Sequence, residues 1–184
     1  MRQLIVTEII TLDGVVDSPG GGDHPHAGWS FKDVEFDEAA YEIKGREQDE
    51  AGALLLGRRT YEEFAPVWPG MTEEFPGYNA MPRYVVSTTL TDTSPWEATV
   101  LGSLEEVRTL KEGDGDPIIV HGSATLAQGL AEAGLVDRYH LLVFPVVLGS
   151  GIRLFGDGAK QRLTLVESQS YGNGVTMAVY DVQH

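Results

Sequence analysis

The sequence contains no cysteine among its 184 residues. This absence excludes disulfide bonds, a catalytic thiolate and any zinc site built on cysteine ligands. Basic residues are also few, because 13 Lys and Arg stand against 28 Asp and Glu, which gives a formal net charge of -15. So acidic a surface repels nucleic-acid phosphates and anionic lipids, and we therefore expect neither nucleic acid nor a membrane as a partner.

The sequence also lacks a hydrophobic run long enough to span a bilayer. Its longest apolar stretch, residues 141–149, is short and contains Pro145. The first residues read directly as a strand, without the features of a signal peptide. We therefore expect a cytoplasmic protein. Its length and its 42% of hydrophobic residues fit a single domain over 1–184.

Alternating strand-like and helix-like segments predict an α/β fold with a mostly parallel sheet and helices on both faces. The strand-like runs are 4–12, 53–56, 83–87, 118–120, 138–147, 163–169 and 175–182, and the helix-like stretches are 36–48, 60–64, 104–111 and 124–133. The last two strand-like runs flank Gly172-Asn173-Gly174, which is a hairpin signal. The sheet should therefore be mixed, with an antiparallel hairpin at its C-terminal edge.

Local signals mark the helix ends and two long loops. Capping-box patterns start at Thr60, Ser103 and Thr125, and Gly134 suits a helix end. Residues 17–29 and 66–82 are long and rich in Gly or Pro, which is typical of functional loops, although plain surface loops remain the alternative. The apolar run 139–149 fits either a buried central strand or a subunit interface.

One strand-to-helix turn has the composition of an anion site. Gly57 ends a strand, Arg58 and Arg59 follow, and Thr60 opens a helix whose first amides lack partners. The alternative is that the arginines pair with nearby carboxylates such as Glu62 or Glu63, as exposed charges commonly do.

A second turn, His121-Gly122-Ser123-Ala124-Thr125, also leads from a short apolar strand into a helix. By itself it is better explained as an ordinary capped helix after a tight turn. Ligands of open sheets bind at the carboxyl ends of parallel strands, so two anion-binding turns at that edge suit a ligand with phosphate in two places. NADPH carries a pyrophosphate and a separate 2′-phosphate, and an arginine pair fits the latter. Rossmann, Walker A and nucleophile-elbow motifs are absent from the sequence.

In the order and spacing of its segments, the sequence resembles the dihydrofolate reductase superfamily, and within it the reductase domain of the bifunctional riboflavin-biosynthesis deaminase/reductase. The segments that carry the resemblance are TLDGVV at 11–16, LLLGRRTYEEF at 54–64, RYVVSTTL at 83–90, IIVHGSATL at 118–126 and FPVVLGSGIRLF at 144–155. The resemblance covers nearly the whole chain. It implies a dihydrofolate reductase-like fold, direct hydride transfer from NADPH to a C=N or C=O bond, and a homodimer.

The resemblance also implies which residues contact the cofactor. They are Gly14, Val16, Gly57, Arg58, Arg59, Thr60, Ser87, Thr88, Thr89, His121, Gly122, Ser123, Ala124, Thr125 and Leu126. The loop from Asp13 to Trp29 would cover the site. Ser123 departs from the family, which often has a second glycine there.

The sequence offers no clean catalytic carboxylate. Asp13 and Asp33 are the candidate proton donors, but Asp13 also suits a turn and Asp33 also suits a helix start. Trp29 and Trp68 are candidate substrate contacts. We assign no metal ion.

Three functions are consistent with these observations. The first is an NADPH-dependent reductase that acts on a small heterocyclic or carbonyl substrate. The second is reduction of the ribosylaminopyrimidine intermediate of riboflavin synthesis, although the sequence lacks the zinc signature of the deaminase domain. The third is a nucleotide-binding or oligomerising protein of the same fold without catalytic activity.

Overall fold

The computed structural model describes residues 1–158 and 160–184. The strands are β1 (Leu4–Thr11), β2 (Ala53–Gly57), β3 (Arg83–Val86), β4 (Thr99–Leu101), β5 (Ile118–His121), β6 (Arg138–Phe144), β7 (Arg162–Ser170) and β8 (Thr176–Gln183). The helices are α1 (Trp29–Lys32), α2 (Glu38–Glu50), α3 (Arg58–Phe64), α4 (Pro76–Ala80), α5 (Leu104–Glu112) and α6 (Ala124–Glu132).

The strands form one sheet in the order β4-β3-β2-β5-β1-β6-β8-β7. All pairs from β4 to β6 are parallel, whereas β8 pairs antiparallel with both β6 and β7. The predicted mixed sheet with a C-terminal hairpin is thus confirmed. The Tyr171 N–H closes the hairpin on the Val175 carbonyl oxygen at 2.9 Å.

The sequence patterns missed three short elements: β4, α1 and α4. Helix α4 lies inside the expected loop 66–82, which is therefore partly helical, whereas α1 begins at Trp29, the last residue of the expected loop 17–29. Pro76 opens α4 at a position where its missing N–H costs nothing.

Only one of the three capping boxes forms. Ser103 caps α5, because its hydroxyl accepts from the Glu106 N–H at 3.3 Å. The patterns at Thr60 and Thr125 are wrong, because α3 begins at Arg58 and α6 begins at Ala124. Gly134 does end α6, with a left-handed φ of 66°.

Alternation along the strands divides the core between the two faces of the sheet. In β1, Leu4 and Val6 pack with residues of α5 and α6, whereas Ile5 faces the opposite side. On that opposite side, one cluster includes Tyr61 of α3 and Tyr78 of α4, and another includes Ile43 of α2. Helices therefore cover both faces, as the sequence predicted.

Strand β6 settles one alternative left by the sequence. It pairs with β1 on one side and β8 on the other, and most of its residues are buried. The first half of the apolar run 139–149 is therefore a central strand rather than a subunit interface. Within the described residues, no helix is long and apolar enough to cross a membrane.

Candidate active site at the carboxyl edge of the sheet

Two strand-to-helix turns meet at the carboxyl edge of the sheet, because β2 and β5 are parallel neighbours. The Gly57 N–H donates to Ser123 Oγ at 2.9 Å and joins the turns directly. Gly122 and Ser123 both adopt left-handed backbone, with φ of 61° and 67°. A Cβ at position 122 would lie 3.3 Å from Thr60 Cγ2, so the close approach of the turns favours glycine there.

The Ser123 hydroxyl accepts from the Gly57 N–H and does not cap α6. The start of α6 therefore has no side-chain cap among the described residues. The first amides of a helix have no intrahelical partner and carry a partial positive charge. The nine-residue helix α6 therefore presents polarised N–H groups beside Gly57 and Thr60. This arrangement fits one phosphate group of a dinucleotide.

The two arginines lie at the first turn of α3, and both side chains are more than half exposed. Arg59 Nε lies 3.1 Å from Glu63 Oε1, and Arg58 Nη1 lies 3.9 Å from Glu62 Oε1. The pairing that the sequence offered as an alternative is therefore present. Exposed i,i+4 pairs of this kind contribute only ~0.3–0.5 kcal/mol each. A ligand phosphate can compete with them.

The loop after β3 places Ser87 in a turn. Its N–H donates to the Leu101 carbonyl oxygen, and its hydroxyl accepts from the N–H groups of Thr89 and Leu90. Thr88 and Thr89 are exposed. Thr89 also borders a cleft of about 370 Å³ beside α3. The residues that line this cleft are Tyr61, Glu62, Ala65, Pro66, Thr89, Leu90, Thr91, Asp92 and Pro95.

Asp13 has the contacts of a turn residue. Its carboxylate accepts from the Thr11 hydroxyl at 2.6 Å and from the N–H groups of Leu148 and Gly149 at 3.2 and 2.8 Å. These bonds, the Thr11 hydroxyl first among them, lower the pKa of Asp13. An ionised carboxylate held in this way clamps the 11–16 turn to residues 146–153 and is poorly suited to donate a proton.

The residues that follow Asp13 complete this clamp. Val16 is buried, and its N–H donates to the Ile152 carbonyl oxygen. The Gly14 carbonyl oxygen accepts from the Leu154 N–H at 3.0 Å. The structure therefore shows packing roles for both, and their predicted contact with a cofactor stays a prediction.

The remaining predicted residues lie in varied surroundings. Asp33 is exposed and ends α1, so the sequence alternative of a helix start is wrong.

Trp29 is fully buried, donates from Nε1 to the Asp17 carbonyl oxygen and packs edge-on against Phe144. Trp68 stacks between Phe64 and Phe75, with ring centroids 4.1 and 4.5 Å away. Packing thus occupies most of both tryptophan rings.

Sequence reasoning missed a buried polar network behind the turns. Glu47 of α2 lies at its centre, with Oε1 accepting from Thr7 Oγ1 at 2.6 Å and lying 2.8 Å from His140 Nδ1. Its Oε2 lies 3.3 Å from Lys44 Nζ and accepts from the Tyr78 hydroxyl at 3.3 Å. Lys44 also donates to Thr7 Oγ1. The Lys44–Glu47 spacing of three residues on a helix was the only available sequence signal.

The Glu47 carboxylate stays ionised in this network. Burial by itself raises its pKa, but Lys44, His140 and Thr7 outweigh burial and lower the pKa to about 2. Thr7 is the register partner of His121, so the network reaches the carboxyl end of β5. It therefore forms a rigid polar layer beneath the edge where the turns meet.

Three buried polar side-chain atoms have no hydrogen-bond partner within the described part of the chain: Glu8 Oε1, Tyr41 Oη and His121 Nδ1. Burial raises the pKa of Glu8 to about 8, so this carboxyl is mostly protonated at neutral pH. Burial lowers the pKa of His121 to about 3 and keeps its ring neutral. His121 packs edge-on against Trp68 and Tyr78, so a packing role is evident.

Known proteins resemble this chain over nearly its whole length. The uncharacterised protein YyaP of Bacillus subtilis is 28% identical over 97% of this chain and 94% of its own length. A crystal structure from Shewanella sp. PV-4, whose name assigns it provisionally to riboflavin biosynthesis, covers both chains fully with a TM-score of 0.78 and 20% identity.

Dihydrofolate reductase from Enterococcus faecalis, complexed with NADP(H), matches with a TM-score of 0.60 and 15% identity over 99% of this chain and 97% of its own. At such identities the likeness shows the fold, which is dihydrofolate reductase-like. The resemblance predicted from the sequence is thus confirmed at the level of the fold. Because the family model of the RibD C-terminal domain matches residues 2–177, the chain belongs to the RibD C-terminal domain family.

Proposed function

We propose that this protein is an NADPH-dependent reductase for a small heterocyclic or carbonyl substrate. The observation that carries the proposal is the hydrogen bond from the Gly57 N–H to Ser123 Oγ, which joins the two turns at one sheet edge. The bound dihydronicotinamide would supply the hydride for a polarised C=N or C=O bond of the substrate.

The charge at each of the two turns suggests which phosphate group of NADPH it would bind. The first turn of α6 would hold the pyrophosphate through backbone N–H groups, because Ser123 leaves those groups uncapped. Arg58 and Arg59 would bind the 2′-phosphate of the adenosine ribose. A phosphate monoester carries up to two negative charges and three acceptor oxygens, so it would attract both arginines more strongly than the single carboxylates of Glu62 and Glu63, whose exposed pairs contribute only ~0.3–0.5 kcal/mol each. The phosphate would therefore displace those glutamates.

The cleft beside α3 supports the placement of the adenosine end. It lies between the loop that holds Thr89 and α3, which is the helix that carries both arginines. Thr88 and Thr89 would contact this end of the cofactor, as the family resemblance implies. The substrate would bind over β1 and β5. The polar network around Glu47 would form the rigid bottom of the site there.

Two finer parts of the proposal come from the family resemblance. One is that the substrate is the ribosylaminopyrimidine intermediate of riboflavin synthesis. The other is that the protein acts as a cytoplasmic homodimer. Both are separate from cofactor binding and are tested separately.

A second candidate function has its own supporting observation. Asp13 is ionised and bound on both oxygens, and Asp33 is exposed at the end of α1, so neither is placed as a proton donor. A protein of this fold that binds the nucleotide without reducing a substrate accounts for this arrangement. A proton could equally come from water in an active reductase.

Calorimetric titration with NADPH and with NADH tests the cofactor assignment. We expect NADPH to bind more tightly, and the Arg58→Ala/Arg59→Ala variant to lose this preference while keeping its affinity for NADH. Arg108→Ala is the matched control, because Arg108 is also an ion-paired arginine but lies on α5. If neither nucleotide binds to the folded wild type, the proposal is wrong.

Loss of NADPH absorbance with pterins, folates and pyrimidine intermediates then separates the two candidates. Oxidation that depends on one of these substrates supports the reductase. Tight NADPH binding without oxidation by any of them supports the nucleotide-binding protein.

A further inference from the structure

Glu8 of β1 carries a buried carboxyl group that the described part of the chain does not satisfy. The residue is 3% exposed, and its Oε1 has no hydrogen-bond partner there. Alternation along β1 puts Glu8 on the same face as Val6 and Ile10, and its register partner on β6 is Leu141. These three neighbours are buried and apolar. A polar group in such surroundings is unfavourable unless it forms hydrogen bonds, so the carboxyl group points to a ligand.

The end of β5 lies beside Glu8. Strand β5 ends at His121, which is the register partner of Thr7, so Glu8 lies one residue beyond the last pair between β1 and β5. From this level the chain turns through Gly122 and Ser123 into α6. Glu8 is therefore level with the turn that we propose as the pyrophosphate site.

Helix α6 covers the face of the sheet on which Glu8 lies. Its residues Ala127 and Leu130 belong to the same buried cluster as Val6 and Ile10 of β1. The Glu8 side chain thus lies on the side of the sheet from which the first amides of α6 would hold a phosphate group.

The order of the strands gives the direction in which the cofactor would run. Strands β2, β5 and β1 are successive neighbours in the sheet. In the proposed arrangement the 2′-phosphate binds at α3, which follows β2, and the pyrophosphate binds at α6, which follows β5. The nicotinamide half is attached to the pyrophosphate on the side away from the adenosine. Its ring would therefore lie at the next strand, β1.

The protonation of the carboxyl group restricts what it can bind. Burial raises the pKa of Glu8 to about 8, and the charge of Lys44 offsets this effect only in part. At neutral pH the group is mostly un-ionised and offers one O–H donor beside one carbonyl acceptor. An amide presents the matching acceptor and donor side by side, and the nicotinamide ring carries an amide.

We propose that the Glu8 carboxyl group binds the carboxamide of the nicotinamide ring. The Glu8 O–H donates to the carboxamide oxygen, and the Glu8 carbonyl oxygen accepts from the carboxamide nitrogen. The inference rests on the proposed function, since it requires a protein that binds NADPH. It adds a contact that fixes the orientation of the ring, and hence the face of the ring that releases the hydride.

Two ligands that differ in the nicotinamide base test the proposal by calorimetric titration. One is NADPH, and the other is 2′-phospho-ADP-ribose, which has a hydroxyl group in place of the base. Methionine is as long as glutamate but has no hydrogen-bond donor. For Glu8→Met we expect the Kd for NADPH to rise about tenfold or more, whereas the Kd for 2′-phospho-ADP-ribose should not change. The matched control is Glu8→Gln, whose amide keeps a donor and an acceptor and should preserve NADPH binding.

A change in the ligand tests the same contact. The reduced 3-acetylpyridine analogue of NADPH has a methyl group in place of the amide nitrogen and loses the donor. The wild type should bind NADPH more tightly than this analogue, and Glu8→Met should not distinguish the two. If Glu8→Met does not fold, Glu8→Leu takes its place in both measurements.

The outcomes distinguish this proposal from the proposed function. If neither NADPH nor 2′-phospho-ADP-ribose binds to the folded wild type, both are wrong. If both ligands bind to the wild type, the role of Glu8 alone is overturned by either of two results. One is wild-type affinity of Glu8→Met for NADPH, and the other is an equal loss of affinity for both ligands.

Discussion

Ser123 Oγ accepts the Gly57 N–H across 2.9 Å and connects residues that are 66 positions apart in the chain. The same serine holds a left-handed backbone with a φ of 67°, which costs a residue with a Cβ roughly 1 kcal/mol. The hydrogen bond compensates for this strain. It also fixes the spacing between the two turns that we propose as the phosphate sites.

Substitutions at Ser123 separate the strain from the hydrogen bond. Ser123→Ala removes the bond and keeps the strained backbone, so we expect it to lower the free energy of unfolding by about 1 kcal/mol. Ser123→Gly removes both, so its stability should stay close to that of the wild type. Urea denaturation of the three proteins measures the difference. Equal stabilities of the alanine and glycine variants would contradict this explanation.

Removing the glutamates next to the arginines should strengthen cofactor binding. In a Glu62→Gln/Glu63→Gln variant, Arg58 and Arg59 lose the carboxylates that compete with a phosphate. We expect the Kd for NADPH to fall several-fold and the Kd for NADH to change little. Fluorescence titration measures both. The control Glu105→Gln, which frees Arg108 on α5, should leave both unchanged.

The buried Glu8 should make the protein less stable as the pH rises. Burial raises the pKa of Glu8 from 4.5 to about 8 in the folded state. Its contribution to the free energy of unfolding is therefore fully present below pH 4.5 and is lost as the pH rises through 8. Each pKa unit corresponds to ~1.4 kcal/mol. Glu8→Gln should therefore gain stability over the wild type across this range, by up to about 4 kcal/mol.

Denaturation by urea at several pH values between 5 and 8 checks the Glu8 prediction. The exposed Glu73 provides the control, and Glu73→Gln is measured in parallel at the same pH values. A gain for Glu8→Gln that does not grow with pH would show that the carboxyl is ionised in the folded protein.

Glu47 should show the opposite dependence on pH. Although burial opposes ionisation, Lys44 and His140 lower its pKa from 4.5 to about 2, so its contribution is present above pH 4.5 and is lost as the pH falls through 2. In Glu47→Gln, the almost buried Lys44 would lose its counter-ion. We expect this loss to lower the free energy of unfolding by about 3 kcal/mol at pH 7.

The same urea measurement tests the Glu47 prediction, with the exposed Glu50 of the same helix substituted to Gln as the control. The difference between Glu47→Gln and the wild type should shrink as the pH falls from 4.5 towards 2. A loss below 1 kcal/mol at pH 7 would contradict a structural role for the network.

The sequence predicted the sheet well because its strands alternate clearly with helices and end in strong turn signals such as Gly172-Asn173-Gly174. It failed where short segments depend on tertiary contacts. The helix α4, for example, packs on α2 so closely that a Cβ on Gly77 would lie 2.6 Å from Gln48 Cβ. Strand β4 has only three residues and forms by pairing with β3.

The candidate site was predicted only in part. Glycines and arginines at strand ends are visible in sequence, so both turns were found. The Glu47 network was not, because Thr7, Glu47 and His140 come together only through packing of α2 over β1 and β6. The capping prediction at Thr125 failed because α6 begins one residue earlier, at Ala124, and Ser123 takes the N-cap position.

The central position of β1 has a consequence for how the chain folds. Leu4 pairs with Ile118 and Ile5 with Arg138, so β1 remains without its strand partners until more than a hundred further residues have been synthesised. Contacts so distant in sequence slow folding. An apolar strand that waits this long is exposed to wrong pairing, and nascent chains should therefore need a chaperone more than the finished protein does.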